Sequence, residues 1–168
     1  MTDPRRGRTR GDELRAIGDA ALSIEDLVAL ANGRAAAVLA PEARDRMKRS
    51  AEIVTVRHGQ GGEIYGVTTS VGGSVGTAIP AARAAALSLN VLRMHGIGAG
   101  RMLDDEEAAA VVVARLSSLA RGQSGVRPEV AERLIELLSA RVLPQMPCEG
   151  SVGASGDLTP LSYVAALL

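Results

Sequence analysis

Residues 150–163 read Gly150-Ser151-Val152-Gly153-Ala154-Ser155-Gly156-Asp157-Leu158-Thr159-Pro160-Leu161-Ser162-Tyr163. Turn chemistry runs from Pro144 to Gly156, and Asp157 then stands where a helix from Leu158 onward would take its cap. The glycines at 150, 153 and 156 are spaced GxxGxxG, but no strand precedes them, so a dinucleotide-binding loop is excluded. Neither Gly153-Ala154-Ser155-Gly156 nor Gly122-Gln123-Ser124-Gly125 supplies the GxSxG of a hydrolase elbow. What the stretch does offer is a small residue, a hydroxyl residue and a glycine in sequence. The unhindered Gly156 nitrogen can attack the Ala154 carbonyl carbon and close a five-membered ring. Two dehydrations, one taking the Ser155 hydroxyl, then leave an exocyclic methylene, an electrophile that no ordinary side chain provides.

Outward from this segment the chain reads as helix after helix. Ser23 caps a segment with Asp26 three residues on, and Ile24, Leu27, Val28, Ala31, Ala35, Val38 and Leu39 keep a three-and-four spacing. Pro41 opens a second helix running to about Arg57, with Arg44, Arg46, Lys48 and Arg49 as a solvated face. Pro80 to Met94 is Ala-rich and helical, Asp104 caps a segment through Ala120, and Pro128 opens another through about Ala140. Between Gly59 and Gly76 the texture changes to glycine with Thr68, Thr69, Ser70 and Ser74, which implies a long functional loop. No alternation worth a sheet is visible. The expected fold class is therefore all-α with glycine-rich active-site loops, residues 1–20 forming a disordered tail and 21–168 a helical domain.

Composition narrows the functions. Among 168 residues, 19 Lys and Arg balance 19 Asp and Glu, so no strong field draws the chain to nucleic acid or an anionic membrane. Only two tyrosines and neither Trp nor Phe are present, which removes base-stacking platforms and aromatic cages. A single cysteine, Cys148, precludes an internal disulfide or a cysteine metal cluster, and His58 and His95 have no ligand spacing, so no metal site is expected. A cytoplasmic setting follows as the default.

The run GSVGASGDLTPLSY resembles the cofactor motif of the aromatic amino acid ammonia-lyases and 2,3-aminomutases, the histidine, phenylalanine and tyrosine enzymes that use 4-methylidene-imidazol-5-one (MIO). Three more stretches fit in the same order. YGVTTSVG at 65–72 is similar to the family's tyrosine loop, SLNVLRMHGIGAG at 88–100 to its selectivity helix, and SLARGQSGVRP at 118–128 to a core segment. The resemblance implies that Ala154, Ser155 and Gly156 form MIO autocatalytically and that Tyr65 is the base removing the substrate's β-proton. It further implies that Met94, His95 and Gly72 contact an aromatic amino acid.

Two features depart from the family pattern. Thr68, Ser70 and Val71 stand where the tyrosine loop usually shows Asn, Gly and an aromatic. The resemblance also covers about the first third of a family member, so the second catalytic tyrosine and the carboxylate-binding arginine lie downstream. A second polypeptide supplying the remainder of the site, in an oligomer of tetramer type, is thus the expectation. A non-catalytic helical assembly or regulatory partner of a full-length homologue is the alternative.

Overall fold

A computed structural model describes residues 13–150 and 158–168 of the chain. Two strands, β1 (Glu13–Ile17) and β2 (Ala35–Leu39), pair in parallel with Glu13 opposite Ala35 and Ile17 opposite Leu39. The helix α1 (Ile24–Ala31) crosses between them. Then follow α2 (Pro41–Gly59), a single 3₁₀ turn at Gly72–Ser74, α3 (Ala81–His95), β3 (Ala99–Met102), α4 (Asp105–Leu119), α5 (Pro128–Ser139), β4 (Pro147–Glu149) and α6 (Leu158–Ala165). β3 and β4 form a second, antiparallel pair, with Ala99 opposite Glu149 and Met102 opposite Pro147.

The helical architecture expected from the sequence is present, but the expectation of no sheet is corrected by the pairs β1–β2 and β3–β4, and two boundaries change. First, the segment capped at Ser23 does not continue to Leu39. It stops at Ala31, because Gly33 takes φ +73° and closes the end: its N–H goes to the Leu30 carbonyl at 3.2 Å and the Arg34 N–H to Ala29 at 2.9 Å. That paired arrangement satisfies the last carbonyls and turns the chain out of the helix. Ala35–Leu39 then becomes a strand. Second, Glu13–Ile17 is the other strand of that pair and not tail, since Ile17 is fully buried in the core and its backbone is hydrogen-bonded along β2. Residues 1–12 lie outside the described residues.

Helix starts follow their caps. Ser23 accepts from the Asp26 N–H at 3.1 Å while the Asp26 carboxylate accepts from the Ser23 N–H, and Asp104 and Glu107 repeat the same reciprocal pair at the start of α4. Pro41 and Pro128 occupy first-turn positions of α2 and α5, where the missing N–H costs nothing. The core gathers Ile17, Leu30, Met47, Val113, Leu116, Leu134 and Met146, all essentially excluded from solvent.

The packing depends on small residues. Gly18, at φ +91°, sits so close to α2 and the end of α4 that a Cβ there would stand 2.6 Å from the Ala43 Cβ and 2.8 Å from the Ala120 Cβ. Arg46 reaches across the same seam and donates to the carbonyls of Gly18 and Ala120. Arg44 pairs with Glu132 on α5. Two of the four basic residues read as a solvated face therefore fasten α2 to its neighbours, which helical periodicity alone cannot reveal. At the far side, the Arg101 guanidinium forks onto both Glu107 oxygens at 2.6 Å, joining β3 to α4. That fork, together with the Asp104 N–H, holds the Glu107 carboxyl down at about 2.

Candidate active site

The helices α3, α4, α5 and α6 surround a cavity of about 430 Å³. Its wall is mainly apolar, contributed by residues such as Leu119, Val126 and Leu161. All four motif-bearing stretches reach it: Gly66 and Val71 from the tyrosine loop, His95 from the end of α3, Val126 from the turn before α5, and Leu161 from α6. Segments separated by as many as about a hundred residues in sequence thus converge on one space.

His95 ends α3 half-buried, and its Nδ1 lies 2.7 Å from the Val91 carbonyl one turn back. In the neutral ring that contact places the proton on Nδ1 and leaves Nε2 as an acceptor. Met94, its sequence neighbour, is 64% exposed and stands outside the cavity wall. Successive helical residues point about 100° apart, so a helix that turns His95 inward carries Met94 away.

The tyrosine loop is built on its hydroxyl residues. Thr68 Oγ1 accepts from the Ile64 N–H at 2.8 Å, Ser70 N–H donates to Thr77 O at 3.0 Å, and Ile79 N–H donates to Thr68 O at 3.1 Å. Thr69 is buried and bridges to Ala78. Within this frame Gly72, at φ +59°, donates its N–H to the Tyr65 phenol oxygen at 2.8 Å. The Tyr65 ring is 63% exposed and outside the cavity wall, although the adjoining Gly66 is in it. Gly72 accordingly meets Tyr65 and not the cavity.

Ala154, Ser155 and Gly156 lie outside the described residues, as does Asp157. The chain on either side of them is close together. A Cβ on Gly150 would stand 3.0 Å from the Thr159 Cβ, and Thr159 is buried, with its carbonyl accepting from the Ser162 hydroxyl at 2.6 Å. In sequence, Ala154-Ser155-Gly156 supplies the atoms that ring closure and two dehydrations require, and its chemistry fits the MIO group.

One residue behind the cavity wall and one within it have roles not evident from the sequence. Tyr163, half-buried on α6, accepts a hydrogen bond at 3.1 Å from the Gly98 N–H beyond the end of α3. Arg115, half-buried on α4, lines the cavity and makes no ion pair or hydrogen bond among the described residues. A 65-residue separation hides the first contact, and the helical spacing of Arg115 marks it only as one more position on α4. Among the described residues no three His, Cys, Asp or Glu side chains gather as a metal site, and Cys148 is exposed and free. No described helix is long and apolar enough to cross a membrane.

A helical chain with these glycine-rich turns and a converging cavity is of the ammonia-lyase and aminomutase fold, and the comparisons agree. Residues 22–168 match the family model described as aromatic amino acid lyase, and the chain belongs to that family. It is 42% identical to the histidine ammonia-lyase of Anaeromyxobacter dehalogenans strain 2CP-C over 147 residues, covering 88% of this chain and 29% of that protein. Against the MIO-dependent tyrosine 2,3-aminomutase of Streptomyces globisporus it is 39% identical, covering 88% of this chain and 27% of the relative. The crystal structure of tyrosine aminomutase from that organism superposes with a TM-score of 0.81 at 35% identity, covering 89% of this chain and 28% of the other. The chain thus spans less than a third of the length of these relatives.

Proposed function

We propose that these residues are the N-terminal part of an MIO-dependent enzyme that eliminates ammonia from, or shifts the amino group of, an aromatic amino acid of the histidine, tyrosine or phenylalanine class. The observation that carries the reading is the convergence of four family motifs on one apolar cavity with a single imidazole in its wall. MIO, formed from Ala154, Ser155 and Gly156, supplies the electrophile for the substrate amine. Tyr65, assigned by its motif to remove the β-proton, has its hydroxyl held by the Gly72 N–H at 2.8 Å outside the cavity wall, so in this proposal residues beyond these 168 carry the substrate to it. His95 presents an acceptor to a phenol or imidazole N–H, which favours a polar ring over a plain phenyl one. Met94 is left without a part in this reading, since it faces away.

The relatives are more than three times as long as the matched stretch, so residues outside these 168 complete the site in this proposal. A second polypeptide, in an assembly of tetramer type, would supply them. Intact mass under denaturing conditions, on protein purified in its native assembly, tests both points. A mass short by two waters supports the maturation, and a co-purifying second polypeptide supports the shared site. Replacing Ser155 by Ala should restore the full mass and abolish turnover while leaving assembly intact. Normal turnover in that variant would overturn the proposal.

A further inference from the structure

We infer that Tyr163 is a positioning residue: its phenol oxygen holds the strap Gly96–Gly98 and thereby sets where the His95 imidazole stands in the cavity wall. The inference rests on the reading of His95 as a substrate contact. His95 is the last residue of α3, and a helix's final turn is its least constrained part. Beyond it come Gly96, Ile97 and Gly98; Ile97 is 72% exposed, so its side chain anchors nothing. The backbone of this strap has two fastenings. Gly96 N–H returns to the Leu92 carbonyl at 3.2 Å, within the helix itself, and Gly98 N–H is donated to Tyr163 Oη at 3.1 Å, the fastening to another element.

On its other side the strap lies close against β4 at Gly98. A Cβ on Gly98 would stand 3.0 Å from the Pro147 Cβ, and one on Gly96 would meet the Ser162 hydroxyl at 4.0 Å. The strap is therefore laid between β4 and α6, and α6 also contributes Leu161 and Ser162 to the cavity wall that contains His95. Removing the phenol oxygen alone would leave the Gly98 N–H half-buried and without its acceptor. The ring of Tyr163 packs; its hydroxyl ties the strap that follows His95 to α6.

The test compares wild type, Tyr163→Phe, Tyr163→His and His95→Ala in the native assembly. Intact mass, amide exchange at Gly98, and kcat and KM for tyrosine, histidine and phenylalanine are measured on each. In Tyr163→Phe the two-water loss persists and Gly98 exchanges faster. The preference for the better polar-ring substrate over phenylalanine falls about tenfold, through KM, the worth of one hydrogen bond. Tyr163→His, whose ring nitrogen stops short of the phenol oxygen's position, behaves as Tyr163→Phe does. An unchanged preference in Tyr163→Phe, with His95→Ala abolishing it, overturns the inference while sparing the reading of His95. If His95→Ala also leaves the preference intact, the reading of His95 falls and the inference with it. A wild-type mass that keeps both waters overturns the proposed function itself.

Discussion

Substituting Gly18 by Ala tests how tightly α2 and α4 are drawn together. The new methyl would meet Ala43 Cβ at 2.6 Å and Ala120 Cβ at 2.8 Å, both inside any tolerable contact and both on helices with no free rotamer to yield. Relieving such a clash by backbone shift costs about 1–3 kcal/mol. Gly18 also holds φ +91°, where an L-residue pays about 1–2 kcal/mol. Together the substitution should cost about 2–5 kcal/mol. Gly33 provides the control, for it has φ +73° but nothing within 4 Å of its would-be Cβ, so Gly33→Ala carries the conformational cost alone. The assay is equilibrium urea unfolding followed by far-ultraviolet circular dichroism. With a slope of about 2 kcal/mol/M, Gly18→Ala should lower the midpoint by about 1–2 M and Gly33→Ala by about half that or less. Equal midpoints for the two variants would refute the contact argument, because only Gly18 collides with anything.

Three further outcomes are expected. Tyr65→Phe should reduce kcat at least about a hundredfold in the native assembly without altering the intact-mass loss of two waters; near-normal kcat would remove Tyr65 as the base. Arg101→Gln should let the Glu107 carboxyl rise from about 2 toward its ordinary 4.5, as read by carbon-detected NMR titration; a titration unchanged by the substitution would mean the fork is not formed in solution. Because the folded Glu107 carboxyl lies below its unfolded value, its contribution to stability is complete above about pH 4.5 and disappears as pH falls through about 2; Asp26, lowered by Arg15 and Ser23, acts in the same direction. Acid unfolding of Arg101→Gln should accordingly be less steep over that interval than that of wild type, and identical profiles would contradict it.

The helices were legible because their starts are written locally. Ser23 with Asp26, Asp104 with Glu107, and proline at positions 41 and 128 each satisfy or remove orphan N–H groups within one turn. β2 was not legible because Ala35–Leu39 is composed of good helix formers that continue the apolar spacing of α1. The dipeptide Asn32-Gly33 was the available stop signal, and its positive φ decides the matter. β1 owes its strand to pairing with β2 and to the burial of Ile17, both tertiary effects. At the cavity, His95 could be placed from its motif, whereas Met94 could not be separated from it without the helix's rotation. The hydrogen bonds of Arg46 to Gly18 and Ala120, and of Gly98 to Tyr163, span 28, 74 and 65 residues, distances over which a sequence carries no local trace of a partner.

Tyr65 and Tyr163 each accept a hydrogen bond from a glycine amide, one in the tyrosine loop and one behind the end of α3. Since these 168 residues hold two tyrosines and neither tryptophan nor phenylalanine, those two phenols are the aromatic side chains that give the chain its intrinsic fluorescence. One ring is mostly in water and the other half-covered, so solvent perturbation and quenching resolve them without a label. Tyrosine emission from this polypeptide therefore comes from the tyrosine loop and from behind the end of α3, and a change in its quenching can be assigned to one of the two residues by a single tyrosine-to-phenylalanine substitution.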